Sequence, residues 1–292
     1  MKHLLPLMLL FSGIPTLDSA EVTAPGAKMV QVGTGYSFTE GPAVDKDGNV
    51  YFTDQPGNVI WVWTTDGKLN VFLENAGRSN GLYVDANNYL WACADAKNEL
   101  WKIDLKTKKI EVLVREFEGK LLNGPNDVWV HPKGFAYFTD PLYKRPYWNR
   151  GPQEQKNRGL YLFSTDKKLA QVDGDFVQPN GVVGSADGKT LYVADINAGK
   201  TYSYPIGADG TVGKRSLFCT SGSDGMTVDS EGNVYLTSAK VLVFDKSGKK
   251  IQEIAVPERP ANVCFGGKDR KTLFITARKG FYSIEMAVSG AK

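Results

Sequence analysis

Val44-Asp45-Lys46-Asp47-Gly48-Asn49-Val50-Tyr51-Phe52-Thr53-Asp54 reads as the end of an apolar strand, a glycine-containing turn and a second apolar strand, the pattern of a β-hairpin. Five relatives of this unit follow: Val84-Asp85 to Trp91, Val130-His131 to Tyr137, Val183-Gly184 to Tyr192, Val228-Asp229 to Tyr235 and Phe265-Gly266 to Phe274. Their aromatic markers Tyr51, Trp91, Tyr137, Tyr192, Tyr235 and Phe274 are spaced 40, 46, 55, 43 and 39 residues apart. That period suits a propeller blade of four strands, and the helical periodicity a solenoid needs is missing. Two further strand-like runs follow the hairpins, such as Val59-Ile60-Trp61-Val62-Trp63 and then Leu69-Asn70-Val71-Phe72. The chain is therefore predicted to be all-β, a six-bladed β-propeller with four antiparallel strands per blade. The last unit has only Phe281-Tyr282-Ser283-Ile284 after its hairpin, while Met29-Val30-Gln31-Val32 is unclaimed. An N-terminal strand closing the last blade is expected, because it hides two sheet edges.

Composition agrees with many tight turns between short strands: 31 glycines, 11% aromatic, 42% hydrophobic and 23% charged residues. The net charge is only +3, with Lys and Arg scattered, so no nucleic-acid partner is expected. Lys2, the apolar run Leu4 to Leu17 and the small residues ending at Ala20 predict a signal peptide over 1–20. Export to the periplasm or the medium is the expectation, with 21–292 forming a single propeller domain. No later run is long and apolar enough to predict a membrane span. Cys93, Cys219 and Cys264 lie within apolar strand sequences without Cys-x-x-Cys spacing, which predicts buried free thiols.

Five positions before each hairpin turn residue stand Glu40, Asn80, Asn126, Asn180 and Asp224, with Ala261 in the sixth unit and Asn262 beside it. The innermost strands of a propeller line its channel, so these side chains are predicted to converge. Carboxylates and amides facing one another are costly to bury without a partner. A cation supplies one, and a hard oxygen set without His or Cys suits Ca²⁺ or Mg²⁺. The alternative is that each residue caps its strand against the glycine that follows in Glu40-Gly41, Asn80-Gly81, Asn180-Gly181 and Asp224-Gly225. Five such residues in register favour the metal site.

The segments Phe38-Thr39-Glu40-Gly41-Pro42, Pro125-Asn126-Asp127-Val128, Tyr137-Phe138-Thr139-Asp140-Pro141, Pro179-Asn180-Gly181 and Asp224-Gly225-Met226 are spread over the chain in order. They resemble the SMP-30/gluconolactonase/luciferin-regenerating family. The resemblance implies one divalent cation held by Glu40, Asn126, Asn180 and Asp224, with Ca²⁺ favoured and Mg²⁺, Mn²⁺ or Zn²⁺ as alternatives. It also implies that Asp224 is the general base in hydrolysis of a small cyclic ester, a sugar lactone first. One departure stands out: family members acting on sugar lactones often carry Arg two residues before the metal-binding Asn, and Gly124 occupies that position here.

Lactone hydrolysis needs a polarised carbonyl and an activated water, which a metal ion and a carboxylate base supply. Attack by the Asp224 carboxylate itself, as would serve a phosphotriester, is the competing chemistry. A calcium-stabilised binding or scaffold propeller is the non-enzymatic alternative. Beyond the expected leader, His131 is the only histidine and falls in the turn register of Asp45, Asp85 and Asp229, which excludes a Ser-His-Asp triad. Asp45 to Asn49 lacks the terminal Glu of a calcium-binding EF-hand loop, since Pro56 stands twelfth, and reads as a hairpin turn. The insertion from Pro141 to Arg158 accounts for the longest spacing. Long loops often carry binding residues. Tyr143, Arg145 and Trp148 from it, together with Asn80, are the candidate substrate contacts.

Overall fold

The computed structural model describes residues 21–291; the expected signal peptide over 1–20 lies outside them. Six four-stranded antiparallel sheets follow one another along the chain. Their innermost strands are Thr39–Val44, Ser79–Val84, Val128–Val130, Pro179–Gly184, Met226–Val228 and Pro260–Gly266, defining blades 1 to 6. Each contacts the innermost strand of the next blade, and that of blade 1 also meets blade 6, so the ring closes. The only additional elements among the described residues are a short ribbon of Glu116–Phe117 with Lys120–Leu121 and a single 3₁₀ turn, Asp95–Lys97.

Closure is as the repeat count predicts. Val30–Thr34 pairs antiparallel with Gly280–Glu285, the last strand of blade 6, with Val30 opposite Ser283 and Thr34 opposite Gly280. Blades 1 and 6 also share an aromatic seam, in which the Phe52 and Phe281 rings stack 4.1 Å apart between centroids. Burying each such ring contributes roughly 1.5–3 kcal/mol, so the seam resists opening where the chain's two ends meet.

The hairpin turns explain their own sequence. Asp45 Oδ1 accepts the N–H groups of Asp47 and Asn49, each at 2.9 Å, and Asp229 Oδ1 does the same for Glu231 and Asn233. His131 takes this place in blade 3: its Nδ1 accepts the Lys133 N–H at 3.0 Å. Nε2 must then carry the proton, which it donates to Gly188 O at 3.2 Å. Burial lowers the pKa of His131, in keeping with this neutral role. The three cysteines are buried free thiols.

One detail departs from the repeat. Glu40, Asn80 and Asn180 each sit second in their innermost strand, but Asn126 and Asp224 lie two residues before Val128–Val130 and Met226–Val228. The register survives through isolated bonds: Asn126 N–H to Thr139 O at 2.9 Å, and Asp224 N–H to Thr237 O at 3.2 Å.

Candidate active site

Directly after the ring of Glu40, Asn80, Asn126, Asn180 and Asp224 comes a second ring: Gly41, Gly81, Asp127, Gly181, Gly225 and Asn262. Four positions need glycine because the neighbouring blade presses on them. A Cβ on Gly41 would stand 2.1 Å from Asn80 O, and one on Gly225 would stand 1.9 Å from Asn262 Cγ. The remaining two, Asp127 in blade 3 and Asn262 in blade 6, carry side chains that line the channel. Asp127 accepts the N–H groups of Val128 and Val182, and Asn262 accepts that of Val263. Two cavities lie along the channel. One, of about 390 Å³, is largely apolar and lined by residues such as Leu82, Val128, Val182 and Met226. The other, of about 270 Å³, holds Glu40, Asn80, Asn126, Asp224, Tyr143 and Arg145, with Phe38, Asn197, Arg259 and Arg278 at its walls.

The polar cavity has spare oxygens. Glu40 is 3% exposed, and its only hydrogen bond among the described residues is from the Gly41 N–H at 3.2 Å. The Asn80 and Asn126 side chains, 4% and 5% exposed, make no hydrogen bond among them. Asn180 donates Nδ2–H to Asp224 Oδ1 and to the Tyr143 hydroxyl, both at 2.8 Å, which leaves its own oxygen unspent. Burial, and then the Asp224 charge, push the Glu40 carboxyl well above the usual range. Asp224 is also raised by burial, with the Asn180 bond and then Arg259, Arg145 and Arg278 pulling it back. One buried and one half-buried carboxylate and three amide oxygens without sufficient donors form a hard, anionic donor set that fits a divalent cation.

An insertion supplies the roof. Asp95 Oδ2 accepts from Arg145 Nε at 3.1 Å, from the Tyr147 hydroxyl at 2.5 Å and from Gln55 Nε2 at 3.3 Å. This one carboxylate therefore anchors the segment from Pro141 to Arg158 over the mouth and turns Tyr143 and Arg145 inward. Trp148 is not a cavity residue, contrary to the sequence expectation. Its indole N–H donates to Asp95 O at 2.9 Å, and Arg150 stacks on its ring at 3.5 Å, so it serves the anchor instead.

With this geometry in place, comparison is decisive: residues 38–279 match the SMP-30/Gluconolactonase/LRE-like region. The chain belongs to that family. The gluconolactonase of Zymomonas mobilis is 28% identical over an alignment covering 90% of this chain and 82% of that protein. Among solved structures, a gluconolactonase from Xanthomonas campestris superimposes with a TM-score of 0.84 at 26% identity, covering 91% of both chains. A calcium-binding regucalcin from Agrobacterium tumefaciens has the same fold, with a TM-score of 0.75 at 21% identity over 89% of this chain and 94% of that one.

The SMP-30/gluconolactonase/LRE-like chain also accounts for its departure at Gly124. That residue has φ 136°, and a Cβ there would lie 2.7 Å from Asp95 Oδ1 and 3.1 Å from Trp148 Cζ2. No arginine fits. The guanidinium reaches the cavity from Arg145 instead, out of the insertion that Asp95 and Trp148 hold.

The loops entering the site are clamped by acids that sequence reading passed over. At the second strand's end in blades 1, 3 and 4, Asp54, Asp140 and Asp195 accept paired backbone N–H groups: Ser37 and Phe38, Asn123 and Gly124, Val177 and Gln178. Each pair lies just before Glu40, Asn126 or Asn180, so the clamps fix three of the four implied ligands. The signal was the recurring Asp three residues after the aromatic marker. Arg259 and Arg278 were also missed, although the latter directly follows the marker strand Thr272–Ala277.

Asp140 gives a test of this clamp. Burial lifts its carboxyl to about 7, against the pull of the Asn123 and Gly124 N–H groups and Arg150. A folded pKa above the unfolded value of about 3.9 contributes stability below that value, and the contribution is lost as pH rises through the folded pKa. Relative to Asp140→Asn, the wild-type protein should therefore lose stability between about pH 4 and about pH 8, by about 4 kcal/mol at most. Urea midpoints across that range measure it, and a difference independent of pH contradicts it.

Proposed function

We propose that this protein hydrolyses a sugar lactone in the polar cavity, using one divalent cation held by Glu40, Asn126, Asn180 and Asp224, with Ca²⁺ favoured. The observation that carries this reading is the convergence of the buried Glu40 carboxylate, the half-buried Asp224 carboxylate and unspent amide oxygens on one cavity beneath Arg145 and Tyr143. Likeness to gluconolactonases over most of the chain supports the substrate class, and likeness to a calcium-binding regucalcin supports the ion.

When bound, the cation supplies Lewis acidity to the lactone carbonyl and charge for the developing oxyanion. The chain does the rest. Asp224, at the cavity wall, accepts a proton from the attacking water as its oxygen bonds to the acyl carbon. The ring C–O bond then breaks, and the departing oxygen takes that proton back from Asp224 to become the hydroxyl of the product acid. Tyr143 accepts the Asn180 amide proton, so its own hydroxyl proton is free for a substrate oxygen. Burial pushes that hydroxyl up to about 12, which keeps the proton in place. Arg145, fixed by Asp95, offers its remaining N–H groups to sugar hydroxyls.

A hydrolysis panel tests the reading. With Ca²⁺ present, kcat/KM should be highest for sugar lactones, lower for simple lactones, and lowest for aryl esters and a phosphotriester, and a chelator should abolish turnover. Absence of lactone turnover in the calcium-loaded protein leaves a binding propeller, whereas preferred cleavage of the phosphotriester moves the chemistry to phosphorus.

A further inference from the structure

The described residues contain nine arginines, and seven have an oxygen partner. Arg78, Arg150, Arg158 and Arg270 donate to backbone carbonyls, while Arg115, Arg145 and Arg215 pair with carboxylates. Arg259 and Arg278 have none among these residues. Both line the polar cavity.

Both are exposed at the mouth of that cavity. Pro260 pairs with Ala277 at the end of the ladder joining the first two strands of blade 6; Arg259 immediately precedes one of these strands and Arg278, at φ 48°, immediately follows the other. A carboxylate is at hand in Glu258, yet its oxygens accept from the Tyr282 hydroxyl at 2.8 Å and the Lys279 N–H at 3.0 Å. Arg278 has only the Phe38 ring, 5.9 Å from its centroid. Glu40 and Asp224 are the nearby negative charges, and a bound divalent cation would cancel those two, leaving the arginine pair uncompensated. Paired guanidiniums are forked donors suited to phosphate, sulfonate or carboxylate.

We infer that Arg259 and Arg278 bind an anionic substituent of the substrate, so that the preferred lactone carries a negatively charged group away from its ring carbonyl. This rests on the lactonase reading for the identity of the substrate, but the anion site can be tested without turnover. Calorimetric titration of the calcium-loaded protein with 6-phosphogluconate and with gluconate should show the phosphorylated acid binding at least about tenfold more tightly, the effect of one charge-assisted hydrogen bond. Glucarate, with a carboxylate at the same end, separates carboxylate from phosphate as the favoured anion. In Arg259→Gln/Arg278→Gln the preference should fall to within about twofold. Arg259→Lys/Arg278→Lys, which keeps the charges without the forks, should retain part of it.

The kinetic counterpart is the ratio of kcat/KM for 6-phosphogluconolactone to that for gluconolactone. Any change the substitutions cause at Asp224 is common to both substrates and cancels in the ratio. The ratio should collapse in the Gln variant through KM. A wild-type protein that binds the two acids equally, or a preference that survives both Gln substitutions, overturns the inference. Equal loss on both lactones with an unchanged ratio assigns the arginines to Asp224 alone and also overturns it. Anion preference without turnover of either lactone overturns the lactonase reading and leaves the anion site standing.

Discussion

Asp224→Asn should lower lactone turnover by about a hundredfold to ten-thousandfold, and the loss should persist when calcium saturates the site. The expectation follows from two roles held by one side chain. Asp224 is half-buried in the channel, faces the same cavity as Glu40, and has one carboxylate oxygen engaged by Asn180 at 2.8 Å. As a ligand it can be partly replaced by the oxygen of Asn, because excess metal offsets weaker affinity. As a base it cannot, because an amide does not accept the water proton. Asn180→Ala is the matching control: it removes a neutral oxygen and leaves the carboxylate, so saturating calcium should restore a substantial part of its turnover. Equal recovery of both variants, with occupancy verified by titration, would make Asp224 a ligand only.

The sequence and the structure agree most closely where the signal is periodic and local. Six hairpins at blade spacing, and a last unit one strand short, were enough to place Val30–Thr34 against Gly280–Glu285. The ring around Glu40, Asn80 and Asn180 was legible for the same reason, since register in an alternating strand carries side-chain direction with it. Contacts between distant residues were not legible. Asp95 to Arg145 spans 50 residues, and nothing in the insertion's composition distinguishes Arg145, which enters the cavity, from Trp148, which anchors the loop. The acid clamps at Asp54, Asp140 and Asp195 join residues 16 to 18 apart, across a turn whose path the sequence leaves open. Arg259 and Arg278 looked like ordinary surface charges, because what sets them apart is the lack of a partner. Only coordinates reveal that.

Glu40→Gln should change stability in opposite directions with and without calcium. In the metal-free protein Glu40 is a buried carboxyl, raised by desolvation and by Asp224, with a single 3.2 Å bond from its own neighbour. Its ionised form therefore opposes folding, and stability is lost as pH rises through the raised pKa. A neutral amide removes that penalty, so the metal-free variant should melt at or above the wild-type temperature, with the gain growing as pH rises above the unfolded carboxyl value of about 4.3. Calcium reverses the order. Losing a charged oxygen ligand should weaken affinity by about a hundredfold, which at fixed saturating calcium subtracts about 2.7 kcal/mol of linked stabilisation. The wild-type protein should then be the more stable of the two. A residue that merely packs the channel would lower both melting temperatures together and leave the calcium increment unchanged. Calcium titrations followed by thermal melts separate the cases: a preserved increment in Glu40→Gln removes Glu40 from the ligand set, while crossing curves mean that the charge which strains the empty channel is the one that holds the ion.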